Sequence, residues 1–155
     1  MKLGEALATR VELQNNIKRI SDRIKINLTV QEGDKPAEDP AELLQLFERL
    51  QNELGTLTAK IKDFNERTVV DGSTLADMLV QQRYLMRMTT VYNALTATFS
   101  RSTVYTGSSW DKAQAGIVMK PMLAATELQE RAAWFGAKLK QLDAKLQETS
   151  WKLTI

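Results

Sequence analysis

Between residues 43 and 64 an apolar side chain returns at alternating steps of four and three: Leu43, Phe47, Leu50, Leu54, Leu57, Ile61, Phe64. A strand turns its side chains over at every residue and cannot gather that spacing on one face, whereas a helix of 3.6 residues per turn lines it into a single stripe. A sustained 3.5-residue repeat keeps the stripe narrow, which favours helices lying along one another over their whole length. Three other segments follow the same rule. Leu3, Ala6, Leu13, Ile17, Ile20 and Ile24 form the first, with Arg10 as its one misfit. Met78, Gln81, Leu85, Met88, Tyr92, Leu95 and Phe99 form the third, and Ala125, Leu128, Ala132, Phe135, Leu139, Leu142 and Leu146 the fourth. The expectation is one all-α domain over 1–155, with helices near 2–27, 40–65, 73–99 and 121–149. Helices of 25 residues are ~38 Å long, so an elongated arrangement of antiparallel hairpins or a four-helix bundle is expected.

The connections carry helix punctuation. In "QEGDKPAEDP" Gly33 is placed to end the first helix, and Asp39-Pro40 followed by Glu42 reads as an N-cap, a first-turn proline and an acidic residue reaching back to the cap, its charge suited to the positive helix end. A calcium loop needs oxygen ligands at alternate positions around a glycine, and this stretch lacks that register. In "VVDGSTLAD", Asp71-Gly72 is a turn, Ser73 or Thr74 a cap, and Val69-Val70 a short extended piece. Connections this short make neighbouring helices antiparallel. Residues 100–121 are long for a helix–helix connection, and their β-prone runs around a Gly/Ser-rich turn suggest a small hairpin near 101–120. The final Trp151, Leu153 and Ile155 alternate as an extended tail would.

Composition narrows the chemistry. The 155 residues contain no cysteine and no histidine. Disulfides, structural zinc sites, thiol nucleophiles, histidine relays and Glu-x-x-His di-iron sites are thereby excluded. No nucleophile and base can be paired from what remains, so no catalytic, cofactor-binding or metal-binding residue is nominated and an enzyme is not expected. No apolar run nears the ~20 residues of a membrane span. The opening MKLGEALATRVELQ has no apolar signal core, which makes the cytoplasm the default location.

The net charge of +2 is too small to call for nucleic acid, but it is unevenly placed. Residues 1–26 hold six basic groups against three acidic ones, and residues 31–42 five acidic groups against Lys35. Solvated helix faces produce such a pattern without any partner.

The stretches "VQEGDKPAEDP", "DGSTLAD" and "LDAKLQETSWKLTI" together resemble a family of small uncharacterised bacterial proteins that often carry the name septicolysin. The resemblance implies a helical, coiled-coil-rich protein without known catalytic residues. That name suggests an oxygen-labile cytolysin, yet a chain without cysteine has no thiol to activate.

The leading expectation is a non-enzymatic protein that self-associates as a homo-oligomer. Leu7, Val11, Leu44 and Leu46 widen the apolar faces of the first two segments, and Trp151, Leu153 and Ile155 offer an edge. The blander account of the same residues is that they complete the chain's own core. A second expectation is a nucleic-acid-binding arm using Lys18, Arg19, Arg23 and Lys25, helped by Arg101 and Lys112. A third is membrane action by the first helix, whose polar face Glu5, Glu12 and Asp22 interrupt.

Overall fold

The computed structural model describes the backbone of residues 1–105 and 122–155 and the side chains of 1–99 and 122–155. Four helices account for most of it: α1 (Leu3–Asn27), α2 (Pro40–Arg67), α3 (Leu75–Tyr105) and α4 (Ala125–Lys152). Strands β1 (Val69–Val70) and β2 (Ser73–Thr74) form a minimal antiparallel hairpin between α2 and α3. The class is all-α, as the periodicity requires. The chain divides into two compact units, Met1–Ala76 with Gln147–Ile155, and Asp77–Leu146.

In the first unit the seam of α1 is buried as its spacing demands: Leu3, Ala6, Leu13, Ile17, Ile20 and Ile24 are all enclosed. Ile20 and Ile24, late in α1, pack with Leu43 and with the half-buried Leu46, Phe47 and Leu50 early in α2, so the pair is antiparallel. Arg10 interrupts the seam and is half-buried, with its Nε enclosed and without a hydrogen-bond partner. On α2 the strict heptad buries only Leu43 and Ile61 fully; Phe47, Leu50, Leu54, Leu57 and Phe64 keep part of their surface. A regular repeat specifies direction, whereas the depth of burial depends on how many elements cover each point.

The α1–α2 connection is tied by Asn27. Its Nδ2 donates to the Arg23 carbonyl at 2.9 Å, and its Oδ1 accepts from the Glu38 backbone N–H at 3.0 Å. Above it Arg23 grips the Glu38 carboxylate with two nitrogens, Nε donating at 2.9 Å. The guanidinium holds Glu38 below the usual carboxylate range, and Glu38 in turn raises Arg23. Gly33 does not end α1, which stops six residues earlier at Asn27. It instead takes φ +93° in a turn closed by the Asp34 N–H on the Gln31 carbonyl at 2.9 Å. The asparagine already occupies the helix end, leaving the glycine to reverse the chain.

Asp39 is the N-cap of α2. Its Oδ1 accepts from the Ala41 N–H at 2.8 Å, with Pro40 at the first helical position. Asp39→Ala is expected to cost about 0.5–2 kcal/mol in chemical denaturation, as loss of a cap does; an unchanged midpoint would deny the cap its role.

Asp71 (φ 49°) and Gly72 (φ 82°) both lie in the left-handed region, the requirement of the tight turn that matches strand twist. Ser73 and Thr74 therefore belong to β2, and α3 begins only at Leu75. The hairpin expected near 101–120 is corrected over its first five residues: Arg101–Tyr105 continues α3 as helix. Extending a formed helix costs little per residue, which outweighs the weak β preference of Thr103 and Val104. The rest of that stretch, including Lys112, lies outside the described residues.

The two ends of the chain meet in the first unit. The Leu3 N–H donates to the Leu153 carbonyl and the Ile155 N–H to the Met1 carbonyl, both at 3.0 Å. Lys2 caps the end of α4, its ammonium donating to the Lys152 carbonyl at 3.1 Å. Trp151 is still helical, and its indole lies over Gly4, where a β-carbon would come within 3.0 Å of the ring. Only glycine admits that approach without displacing the indole.

Candidate interaction surface

In the second unit α3 and α4 run antiparallel, since Gln82 bonds Asp143 at 2.6 Å while Tyr92, further along α3, stacks on Phe135, earlier in α4. Phe135 anchors the pair. Tyr92 lies nearly parallel to it at 5.3 Å, and Tyr84 and Trp134 meet it edge-on at 6.3 and 4.8 Å. Such offset and edge contacts place positive ring edges against negative faces. Arg131 donates to the Tyr92 hydroxyl at 3.4 Å and to Glu127 at 3.0 Å, and both keep its guanidinium raised, Tyr92 foremost. An open groove of about 470 Å³ runs beside this cluster between Tyr84, Leu85, Trp134, Phe135 and Leu142. Lys138 sits at its rim, its ammonium 5.8 Å from the Trp134 ring.

The inner stripe of α3 is Met78 and Leu85, fully buried, with half-buried Met88, Tyr92 and Phe99. Leu95 does not join it; the residue is 46% exposed. It belongs to a second stripe with Val80 (63%), Tyr84 (52%) and Val91 (51%). At 100° per residue this outer stripe is centred roughly 90° around the helix from the inner one. Two helices can enclose one stripe each, so the outer one stays in solvent. Trp134, 56% exposed, extends the apolar surface from Tyr84 across the groove.

The residues nominated from sequence are distributed differently. Leu46 packs against the Ile20–Ile24–Leu43 cluster. Leu7 is half-buried, and Val11 and Leu44 are half exposed on α1 and α2. Leu153 and Ile155 are half-buried, with backbone bonds to the chain's own first residues, and Trp151 covers Gly4 with half its surface exposed. Among the basic residues, Arg19 bonds Asn16, Arg23 is held by Glu38 and Lys25 pairs with Asp22 at 3.0 Å, while Lys18 is exposed. Two of these four charges thus face a carboxylate of their own chain, which shrinks the field available to a phosphate backbone. Arg101 lies in α3, just before its last turn. Among the described residues no group of three potential metal ligands occurs, and no helix is long and apolar enough to cross a membrane.

Residues 10–155 match the profile of a family of unknown function, DUF6847. The chain belongs to that family. A DUF6847 assignment covers the inner and outer stripes of α3 and the whole of α2 and α4, and it starts after the Lys2, Gly4 and Leu7 positions. The crystal structure of a functionally unknown conserved protein from Corynebacterium diphtheriae is similar to this chain at 32% identity and a TM-score of 0.88, over 98% of this chain and 96% of that one. No curated protein matches. DUF6847 thus supplies a shared fold and no activity to carry over.

Proposed function

We propose that this DUF6847 protein is a non-enzymatic, self-associating helical protein whose partner is a second copy of itself. One observation carries the reading: Val80, Tyr84, Val91 and Leu95 lie along one face of α3, interrupted midway by Arg87, each with about half or more of its surface exposed. Full burial of such side chains is worth ~1.5–3 kcal/mol each. Covering the exposed half of four residues on each of two copies therefore yields roughly 6–12 kcal/mol before costs. Association itself costs an estimated 4–15 kcal/mol, so at most about 8 kcal/mol remains, which limits this contact to micromolar affinity at best and makes a concentration-dependent association and not a permanent dimer the expectation. The driving force is apolar, so association should persist when salt is raised, whereas contacts with nucleic-acid phosphates weaken steeply.

Light scattering coupled to size exclusion, from a few to several hundred micromolar, tests this directly. A concentration-dependent rise in mass from 17.5 kDa towards twice that value is expected, retained in high salt. A constant monomer mass over the whole range would refute the proposal.

A further inference from the structure

The groove between α3 and α4 changes character along its length. At one end Tyr84 and Trp134 stand steeply to Phe135, at interplanar angles of 76° and 88°, and each keeps about half its surface in water. Towards the other end, where Gln82 bonds Asp143, its walls are Gln81, Gln141 and Lys145. Lys138 lies between, one turn beyond Trp134 on α4. Among the described residues that line the groove, the charged ones are Lys138 and Lys145, and no carboxylate is present.

We propose that this groove binds a small aromatic anion: a planar ring system held against Tyr84 and Trp134, with its carboxylate or equivalent acidic group on the Lys138 ammonium. The site goes beyond self-association and does not rest on it; Tyr84 is the one residue of the outer stripe that also lines the groove.

Charge selects the sign of the ligand. Elsewhere Arg23, Arg67, Arg131 and Lys152 each meet a carboxylate of their own chain. Lys138 meets none among the described residues, because the positions three and four away on α4 are Trp134, Phe135, Gln141 and Leu142. Its ammonium rests instead 5.8 Å from the centre of the Trp134 ring. A ring face holds a cation in place without neutralising it, so the charge stays available for a charge-assisted hydrogen bond. A neutral occupant would cover that ammonium without giving it a partner, which costs desolvation energy. A cationic one would be repelled.

The rings select the body. Half-exposed indole and phenol rings offer flat apolar surface, and ring-on-ring contact adds to simple burial. The groove volume of about 470 Å³ falls within the ~300–1,000 Å³ of small-molecule sites. Because the groove is open, one side of the ligand stays in water and the affinity is modest.

Naphthalene-2-carboxylate is the probe, titrated into the full chain and followed by NMR. The three tryptophans give three indole N–H signals, and Trp134→Phe and Trp151→Phe assign two of them. The Trp134 signal is expected to shift to saturation, half-complete below about 1 mM, while the Trp151 signal stays in place. Naphthalene-2-methanol, the same rings without the charge, should bind roughly tenfold more weakly or worse, since it lacks a hydrogen bond to a charged group. Cyclohexanecarboxylate, the charge without the aromatic rings, should also bind more weakly. Lys138→Gln should weaken the naphthoate by roughly tenfold and leave the alcohol unchanged, which also shows that the variant is folded. Lys140→Gln, an exposed cation of α4 outside the groove, should change neither.

No saturable shift of the Trp134 signal overturns the site. Equal affinity for the acid and the alcohol, or a loss from Lys140→Gln as large as that from Lys138→Gln, overturns recognition of an anion by Lys138. Neither result touches self-association, which the mass of the probe-free protein at rising concentration decides.

Discussion

Ile61→Ala is expected to lower stability by about 2–5 kcal/mol, read as a fall in the urea midpoint with an unchanged slope. Ile61 is 2% exposed, the most enclosed residue of the α2 heptad, so its truncation removes transfer energy and leaves a void that close-packed neighbours fill only in part. The informative comparison is with Leu54→Ala, seven residues earlier on the same stripe. Leu54 keeps part of its surface in water, so less apolar area is lost and solvent can relax into the space. The expected order is Ile61 well above Leu54. Equal losses at the two sites would mean that Leu54 is more deeply covered than its exposure indicates.

Replacing Asn27 with Leu is the second large effect, expected at about 1–3 kcal/mol although leucine is the more apolar residue. Asn27 is 6% exposed and one of two buried polar residues among those described. Its amide serves the Arg23 carbonyl at the end of α1 and the Glu38 N–H beyond the turn. Leucine matches its size and leaves the Glu38 N–H without its partner, at a cost of roughly 1–3 kcal/mol, whereas the Arg23 carbonyl keeps the helical bond from the backbone N–H of residue 27. Asn27→Asp would keep the acceptor and lose the donor, so an intermediate loss is expected. Thermal or urea denaturation of the three proteins gives the order, and an Asn27→Leu variant as stable as wild type would show that water serves the Glu38 N–H.

Asn27 also shows where reading the chain stops. It falls three residues after Ile24, on the same stripe as Leu13, Ile17 and Ile20, so periodicity points to it as a seam position. What periodicity lacks is the partner: the Glu38 N–H is eleven residues away, reached only after the chain turns at Gly33. The reading of Gly33 as a helix end failed for the same reason, because a glycine announces a positive φ and not which turn will use it. Asp39-Pro40 was legible in full, since a cap is built from neighbours within three residues. The Asp71-Gly72 turn was equally local.

The four stripes, and hence the all-α class, follow from the amino-acid order alone, because the helical period acts within a few residues and needs no knowledge of the rest of the chain. The surface of α3 does not. Val80, Tyr84, Val91 and Leu95 are as visible in the sequence as Met78, Leu85, Met88, Tyr92 and Phe99, and Leu95 suits either set. Which stripe is enclosed was settled by where α4 comes to lie, with Phe135 stacked on Tyr92 of the inner one. Burial is a property of pairs of surfaces, and a single helix with two apolar stripes holds no information about which will be covered. The same limit applies to the tail, whose alternation promised an edge and whose backbone partners turned out to be Met1 and Leu3 at the far end of the chain.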